Sequence, residues 1–273
     1  MVTSNIQRVA GFFALTFLVS WISWGIGAFL GTDTIFWPVL STLAGFGPLI
    51  AGGVFSWRQG ELRAWTRQLA RWRVDGRWWI LAVVGAPVLS LVGYGIFIAV
   101  SDASLGLGGG PASVAVTYLI LFAYIFLLRG GIGEEMGWRG YALPELQKKY
   151  TTLVAALIVG IAWAGWHLPL FVIQGTRQSG SFALYLASVI GLSVVLAWLY
   201  TNTKGSVLLA VIFHAQWNVF DSGALFAPQT TTGLVAPAAS ALVIWGFAII
   251  VILADRETML SRPDDLQFAT STE

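Results

Sequence analysis

The chain has 273 residues, 57% of them hydrophobic and only 10% charged, with a mean hydropathy of +0.77. A water-soluble domain carries about 25% charged residues, so this composition excludes one and points to a polytopic membrane protein. With no cysteine, disulfides, thiolate metal sites and a cysteine nucleophile are excluded; the net charge of +2 is small, so the placement of charge carries the information.

A membrane span needs roughly 17–25 mostly apolar residues. In chain order the apolar runs are Val9–Leu30, Ile35–Trp57, Trp78–Val100, Val114 to about Leu143, Thr151–Ile173, Phe182–Tyr200, Val207–Phe220 and Leu234–Leu253. The first is longer than the apolar core of a signal peptide, about 7–15 residues, and reads as a retained helix. The expected fold is therefore an all-α bundle of about eight spans, a single integral-membrane domain over residues 1–273 with a disordered tail from 254. Between the second and third runs, "RQGELRAWTRQLARWRVDGRWW" interleaves arginine with tryptophan, as suits a helix lying on the headgroups rather than a nucleic-acid site. Trp21, Trp24, Trp37, Trp57, Trp78 and Trp79 read as interface anchors. "SLGLGGGP" reads as a flexible outer loop, because it lacks the lysine of a phosphate-binding loop. No internal repeat suggests a transporter built from inverted halves.

Fourteen of the 15 Lys and Arg fall in segments on one side of these runs, and only Arg177 on the other. Cytoplasmic loops carry the excess of Lys and Arg, so both termini are expected in the cytoplasm, in a multi-pass protein of a prokaryotic plasma membrane.

Inside the apolar runs lie a few strongly polar groups: Glu134, Glu135 and Arg139 in "GEEMGWRG", His167 in "WAGWHLP", and His214 and Asn218 in "VIFHAQWN". The two histidines are the only ones in the chain. A charge at the bilayer centre costs about 2.5–3.5 kcal/mol on the insertion scale, so these groups must face a protein interior or a wet cavity. At about 1.5 Å per residue, Glu134 lies about 15 Å from Pro144, His214 and Asn218 about 11 and 17 Å from Val207, and His167 about 24 Å from Thr151. Three of these depths agree, and they place the groups near the inner leaflet, approached from the cytoplasm or sideways from lipid. Residues four apart share a helix face. That pairs Glu135 with Arg139, Trp163 with His167, and His214 with Asn218, and leaves Glu134 as the carboxylate with no local counter-ion. Peptide hydrolysis needs a base for water, donors for the oxyanion and a proton for the leaving amine; Glu134, then His214 with Asn218, then a proton recycled on Glu134 or His167 fill these roles.

"EEMGWR", "WAGWH" and "HAQWN" occur on separate runs, in the order of the motifs Glu-Glu-x-x-x-Arg, Phe-x-x-x-His and His-x-x-x-Asn. In this the chain resembles the CAAX protease and bacteriocin-processing family, also called CPBP or Abi, over roughly residues 114–220. Trp163 stands where that family usually has Phe, a change that bears on packing more than on chemistry. The resemblance implies an intramembrane endopeptidase in which Glu134 and His167 activate water, His214 and Asn218 stabilise the oxyanion, and Glu135 and Arg139 orient the site. Its substrate would be a membrane-associated or lipidated protein or peptide; lipid is the other partner, and no nucleic acid is expected. Family members are often labelled metalloproteases. Glu134, His167 and His214 would be the ligands of a zinc or other divalent ion, but a glutamate-driven site without cofactor is the favoured reading, because Asn218 is a poor zinc ligand. Two other classes use the same residues: a proton-coupled transporter with a Glu/His relay, and a non-catalytic immunity or scaffold protein of the same fold.

Overall fold

A computed structural model of the chain describes residues 5–101, 105–176, 181–228 and 235–263. It is helical in nearly every segment. Helix α1 (Asn5–Leu30) is followed by α2 (Phe36–Gly45) and α3 (Gly47–Arg58), two halves of one apolar run bent by 42° at Phe46. Pro48 sits in the first turn of α3, where its missing N–H costs nothing. Next come the short α4 (Leu62–Arg67), the span α5 (Gly76–Val100), and α6 (Pro111–Leu128). Helix α7 (Gly131–Gly137) runs on through a π-helical turn, Trp138–Ala142, into a last turn at Leu143–Gln147. Then follow α8 (Thr152–Trp166), α9 (Leu168–Val172), α10 (Phe182–Asn202), α11 (Val207–Asp221), α12 (Val235–Ala254) and α13 (Arg256–Leu260). Among the described residues six helices are long and apolar enough to cross a membrane, seven with the bent pair, and α11 is a shorter apolar helix.

Sequence-local chemistry sets several boundaries. The side chains of Thr151, Ser181 and Ser206 accept hydrogen bonds from the backbone N–H of Val154, Leu184 and Leu209, capping α8, α10 and α11. Helices α8 and α10 are the most enclosed spans, whereas α6 turns Val116, Leu119, Ile120 and Leu127 outward. In water such a face would be a liability; in lipid it needs no partner.

The structure departs from the sequence reading in three places. Leu105–Leu107, expected in a flexible loop, pairs antiparallel with Phe226–Pro228 and ties the loop after α5 to the one after α11. The tail expected to be disordered from 254 instead forms α13. Its Met259 is fully buried, and the N–H of Thr152 donates to the carbonyl of Ser261; residues 264–273 lie outside the described ones. Two of the tryptophans read as interface anchors, Trp24 and Trp78, are buried: Trp24 packs against Trp166 at 4.9 Å, and Trp78 edge-on to Trp198 at 5.1 Å. Trp57 is exposed as an anchor should be.

Candidate active site

The glutamate helix is held by its glycines. A Cβ on Gly133 would stand 2.8 Å from the carbonyl oxygen of Gly45, and one on Gly137 would stand 2.4 Å from Pro48. Two glycines four apart thus let α7 press onto the bend between α2 and α3, the close backbone approach that small residues permit in membrane helices. From the opposite side, the arginine-rich segment contributes more than a surface helix. Trp65 Nε1 donates to the carbonyl of Met136 (3.0 Å), and Gln68 Nε2 donates to that of Gly140 (2.9 Å). Both side chains are buried, and the hydroxyl of Tyr200 donates to Gln68 Oε1. The two carbonyls lie just before and within the π-helical turn, a distortion frequent at functional sites.

Glu135 and Arg139 are both fully buried and form the ion pair their spacing predicted, with Arg139 Nη1 to Glu135 Oε1 at 2.9 Å. The same carboxylate oxygen lies 2.8 Å from His214 Nδ1, a contact across helices that one helix's spacing cannot reveal. A carboxylate only accepts, so Nδ1 of His214 carries the proton. Its Nε2 lies 3.0 Å from Asn218 Nδ2, one turn on along α11. Glu135 therefore anchors two groups, Arg139 on its own helix and the His214–Asn218 pair on α11.

Glu134 points elsewhere. It has no ion pair among the described residues, and its Oε2 accepts from Trp163 Nε1 at 2.5 Å. Trp163 is the hub of the site: its carbonyl lies 3.0 Å from His167 Nδ1, its ring lies 5.1 Å from that of His214, and the Arg139 guanidinium sits 4.5 Å over its face. Replacing the family's usual Phe by Trp thus does reach the chemistry, because an indole N–H can hold a carboxylate and a phenyl ring cannot. His167 must donate from Nδ1 to that carbonyl, which leaves the Nε2 lone pair of the neutral ring free to accept.

The groups converge at Gly130, which joins α6 to α7 at φ +83°, a conformation natural to glycine. A Cβ there would lie 2.9 Å from Asn218 Nδ2, 3.3 Å from His214 Nε2 and 3.4 Å from Glu134 Oε1. One glycine face thus stands within hydrogen-bonding reach of a carboxylate, an imidazole and an amide. Glu134, Trp163, His167, His214 and Asn218 all line one cavity of about 470 Å³, whose other walls include Phe97, Phe171 and Trp217. All six site residues named from the sequence are brought together, four on the cavity and Glu135 with Arg139 behind it. Sequence reasoning missed Gly130 and the donor role of Trp163.

The ligand set of a His₂Glu metal site does not assemble. Nδ1 of His214 is engaged by Glu135 and its Nε2 by Asn218, Nδ1 of His167 is turned to a carbonyl, and among the described residues no three His, Asp or Glu side chains gather to hold an ion.

Residues 115–220, the segment carrying these groups, match the family model described as type II CAAX prenyl endopeptidase Rce1-like. The chain is 26% identical to CAAX prenyl protease 2 of Methanococcus maripaludis over 268 residues, covering 90% of this chain and 96% of that protein. It is also 26% identical over 152 residues to lysostaphin resistance protein A of Staphylococcus haemolyticus, which spans 55% of this chain and 39% of the relative. The matched segment begins in α6 and ends in α11, and so takes in every group that meets at Gly130. The chain is a multi-pass integral membrane protein, and over residues 115–220 it is similar to the CAAX prenyl endopeptidase family.

Proposed function

We propose that the protein is an intramembrane endopeptidase in which Glu134 is the base that activates water. The observation that carries this reading is the convergence of Glu134 Oε1, His214 Nε2 and Asn218 Nδ2 on one glycine face at the wall of a cavity. A water held by Glu134 and the Nε2 lone pair of His167 gives a proton to Glu134 as its oxygen attacks the scissile carbonyl carbon. The carbonyl oxygen becomes an oxyanion, met by the amide N–H of Asn218 beside His214; donors aimed at developing charge are commonly the largest contribution to catalysis. The C–N bond then breaks, and the proton on Glu134 passes to the leaving amine, restoring the carboxylate. Glu135 touches neither water nor substrate in this scheme. It fixes the tautomer and angle of His214 and balances Arg139. In this scheme no metal takes part; both ring nitrogens of His214 are held within the protein, Nδ1 by Glu135 and Nε2 by Asn218.

The substrate is a membrane-associated protein or peptide, lipidated or not. Phe97, Phe171, Val189, Leu192 and Trp217 give the cavity an apolar lining suited to a hydrophobic side chain or a lipid chain. Comparative mapping of new protein termini in membranes, from cells carrying wild type against Glu134→Gln, tests the reading. The proposal requires termini present with wild type and absent with the variant; identical sets of termini would refute it.

A further inference from the structure

The two ends of the helix bundle differ in charge, and the cavity belongs to one of them. Among the described residues, Arg129 caps α6 next to Gly130 and Arg139 is buried at Glu135. All the other described Lys and Arg gather at one end, where contacts between the segments fix them together. Arg8 pairs with Glu145, which also holds Lys148. Arg71 donates to the carbonyl of Lys204 and accepts at its own carbonyl from Ser206. Asn202 and Trp198 donate to Asp255, which precedes Arg256.

The cavity lies toward the other end of the same helices. Helix α5 begins beside Arg77 and contributes Tyr94 and Phe97 from its far half. Helix α10 ends beside Lys204 and contributes Ser181 at its cap and Tyr185. Helix α11 starts after Lys204 and contributes Asp221, its last residue, while α12 ends before Arg256 and contributes Pro237 and Ser240 from its first turns. The far end is tied together by contacts of its own: Tyr94 donates to the carbonyl of Phe220 (2.6 Å), and the pairing of Leu105–Leu107 with Phe226–Pro228 joins the loops after α5 and α11. Four helices therefore agree that the cavity runs away from the basic end. His167 at the end of α8 agrees as well, which accounts for its depth standing apart in the sequence reading.

Lys and Arg mark the cytoplasmic end of a membrane protein. From this opposition we infer that the cavity is entered from the extracytoplasmic side, and that the substrate presents its scissile bond in the outer half of the bilayer. The substrate class is thus a membrane-anchored or membrane-inserted polypeptide whose cleavage site lies outside the cytoplasm. This replaces the expectation of a site at the inner leaflet, which rested on counting residues along isolated helices. What is cleaved rests on the proposed function; the side of entry does not, and is tested without any activity.

The chain contains no cysteine, so single cysteines report cleanly. Ser188→Cys on the cavity wall, Ala224→Cys at the far end and Arg67→Cys at the basic end are each treated in intact cells with a membrane-impermeant maleimide. Ser188→Cys and Ala224→Cys are expected to label in intact cells, and Arg67→Cys only after permeabilisation. Gly110→Cys and Lys149→Cys repeat the far-end and basic-end readings on other loops, should a first variant fail to accumulate. Labelling of the basic-end cysteines from outside, or of both ends, overturns the orientation. Labelling of Ala224→Cys with a silent Ser188→Cys overturns entry from that side. A correct labelling pattern with no protease activity would leave this inference standing and remove the proposed function instead.

Discussion

At the scale of single residues, two adjacent glutamates occupy different environments because helix geometry turns them about 100° apart. Glu134 reaches the cavity and Trp163; Glu135 reaches back to Arg139 and across to His214. Removing one partner of a buried ion pair costs about 3–5 kcal/mol, so Glu135→Gln is expected to lower the melting temperature as well as activity. The double variant Glu135→Gln/Arg139→Met removes both charges and should recover melting temperature and expression better than either single change. Its activity should stay low, because His214 Nδ1 has lost its carboxylate. Melting curves and turnover of the three variants check this, and a double variant no more stable than the singles contradicts it. Trp163→Phe is the sharper probe. It keeps a ring for Arg139 to sit over and deletes only the N–H that Glu134 accepts. Losing one hydrogen bond to a charged group costs about 1.5–3 kcal/mol, so turnover should fall by roughly tenfold to a hundredfold with little change in melting temperature. Unchanged turnover would show that Glu134 is positioned without Trp163.

At the scale of elements, the sequence shows which helices exist better than it shows how they end or meet. Apolar runs and Ser/Thr caps are local, so the spans could be placed from them. The pairing of Leu105–Leu107 with Phe226–Pro228 joins segments over a hundred residues apart and leaves no periodic trace in a chain rich in glycine. The docking of α13 was hidden in the same way, because a short polar tail looks disordered until its partners are known. Asp255 is what fastens it. Partial burial pushes its carboxyl upward, but hydrogen bonds from Asn202, Thr258 and Trp198 together outweigh this and hold it below the usual carboxylate range. A depressed folded-state pKa gives stability that is present above the unfolded value, about 3.9 for Asp, and is lost as pH falls through the folded value. The melting temperature of wild type should therefore drop between about pH 5 and pH 3 by more than that of Asp255→Asn, whose tail is already loosened. Parallel acid profiles for the two proteins would show that the cap contributes nothing.

At the scale of the whole molecule, the membrane class, the all-helical fold and the six polar residues that the structure brings together as a candidate site were legible in the sequence. Membrane cost and the scarcity of charge leave few candidates, and three motifs on three runs gather them. Their relative geometry was not legible, because it depends on crossings: Glu135 with His214, Trp163 with Glu134, and Gly130 with all three groups. Nor was the direction of the cavity, which only the assembled helix ends display. In the proposed function Glu134, without a metal, drives hydrolysis of a peptide bond. Its most direct test is turnover of a cleavable membrane peptide by purified, reconstituted protein after dialysis against a strong chelator, wild type beside Glu134→Gln, with metal content measured on the same samples. Wild type is expected to keep its rate with well under one metal per chain, and Glu134→Gln to be folded but slower by about 10²–10⁴-fold. Stoichiometric metal lost together with activity and restored with it, or a Glu134→Gln protein as fast as wild type, would contradict the account.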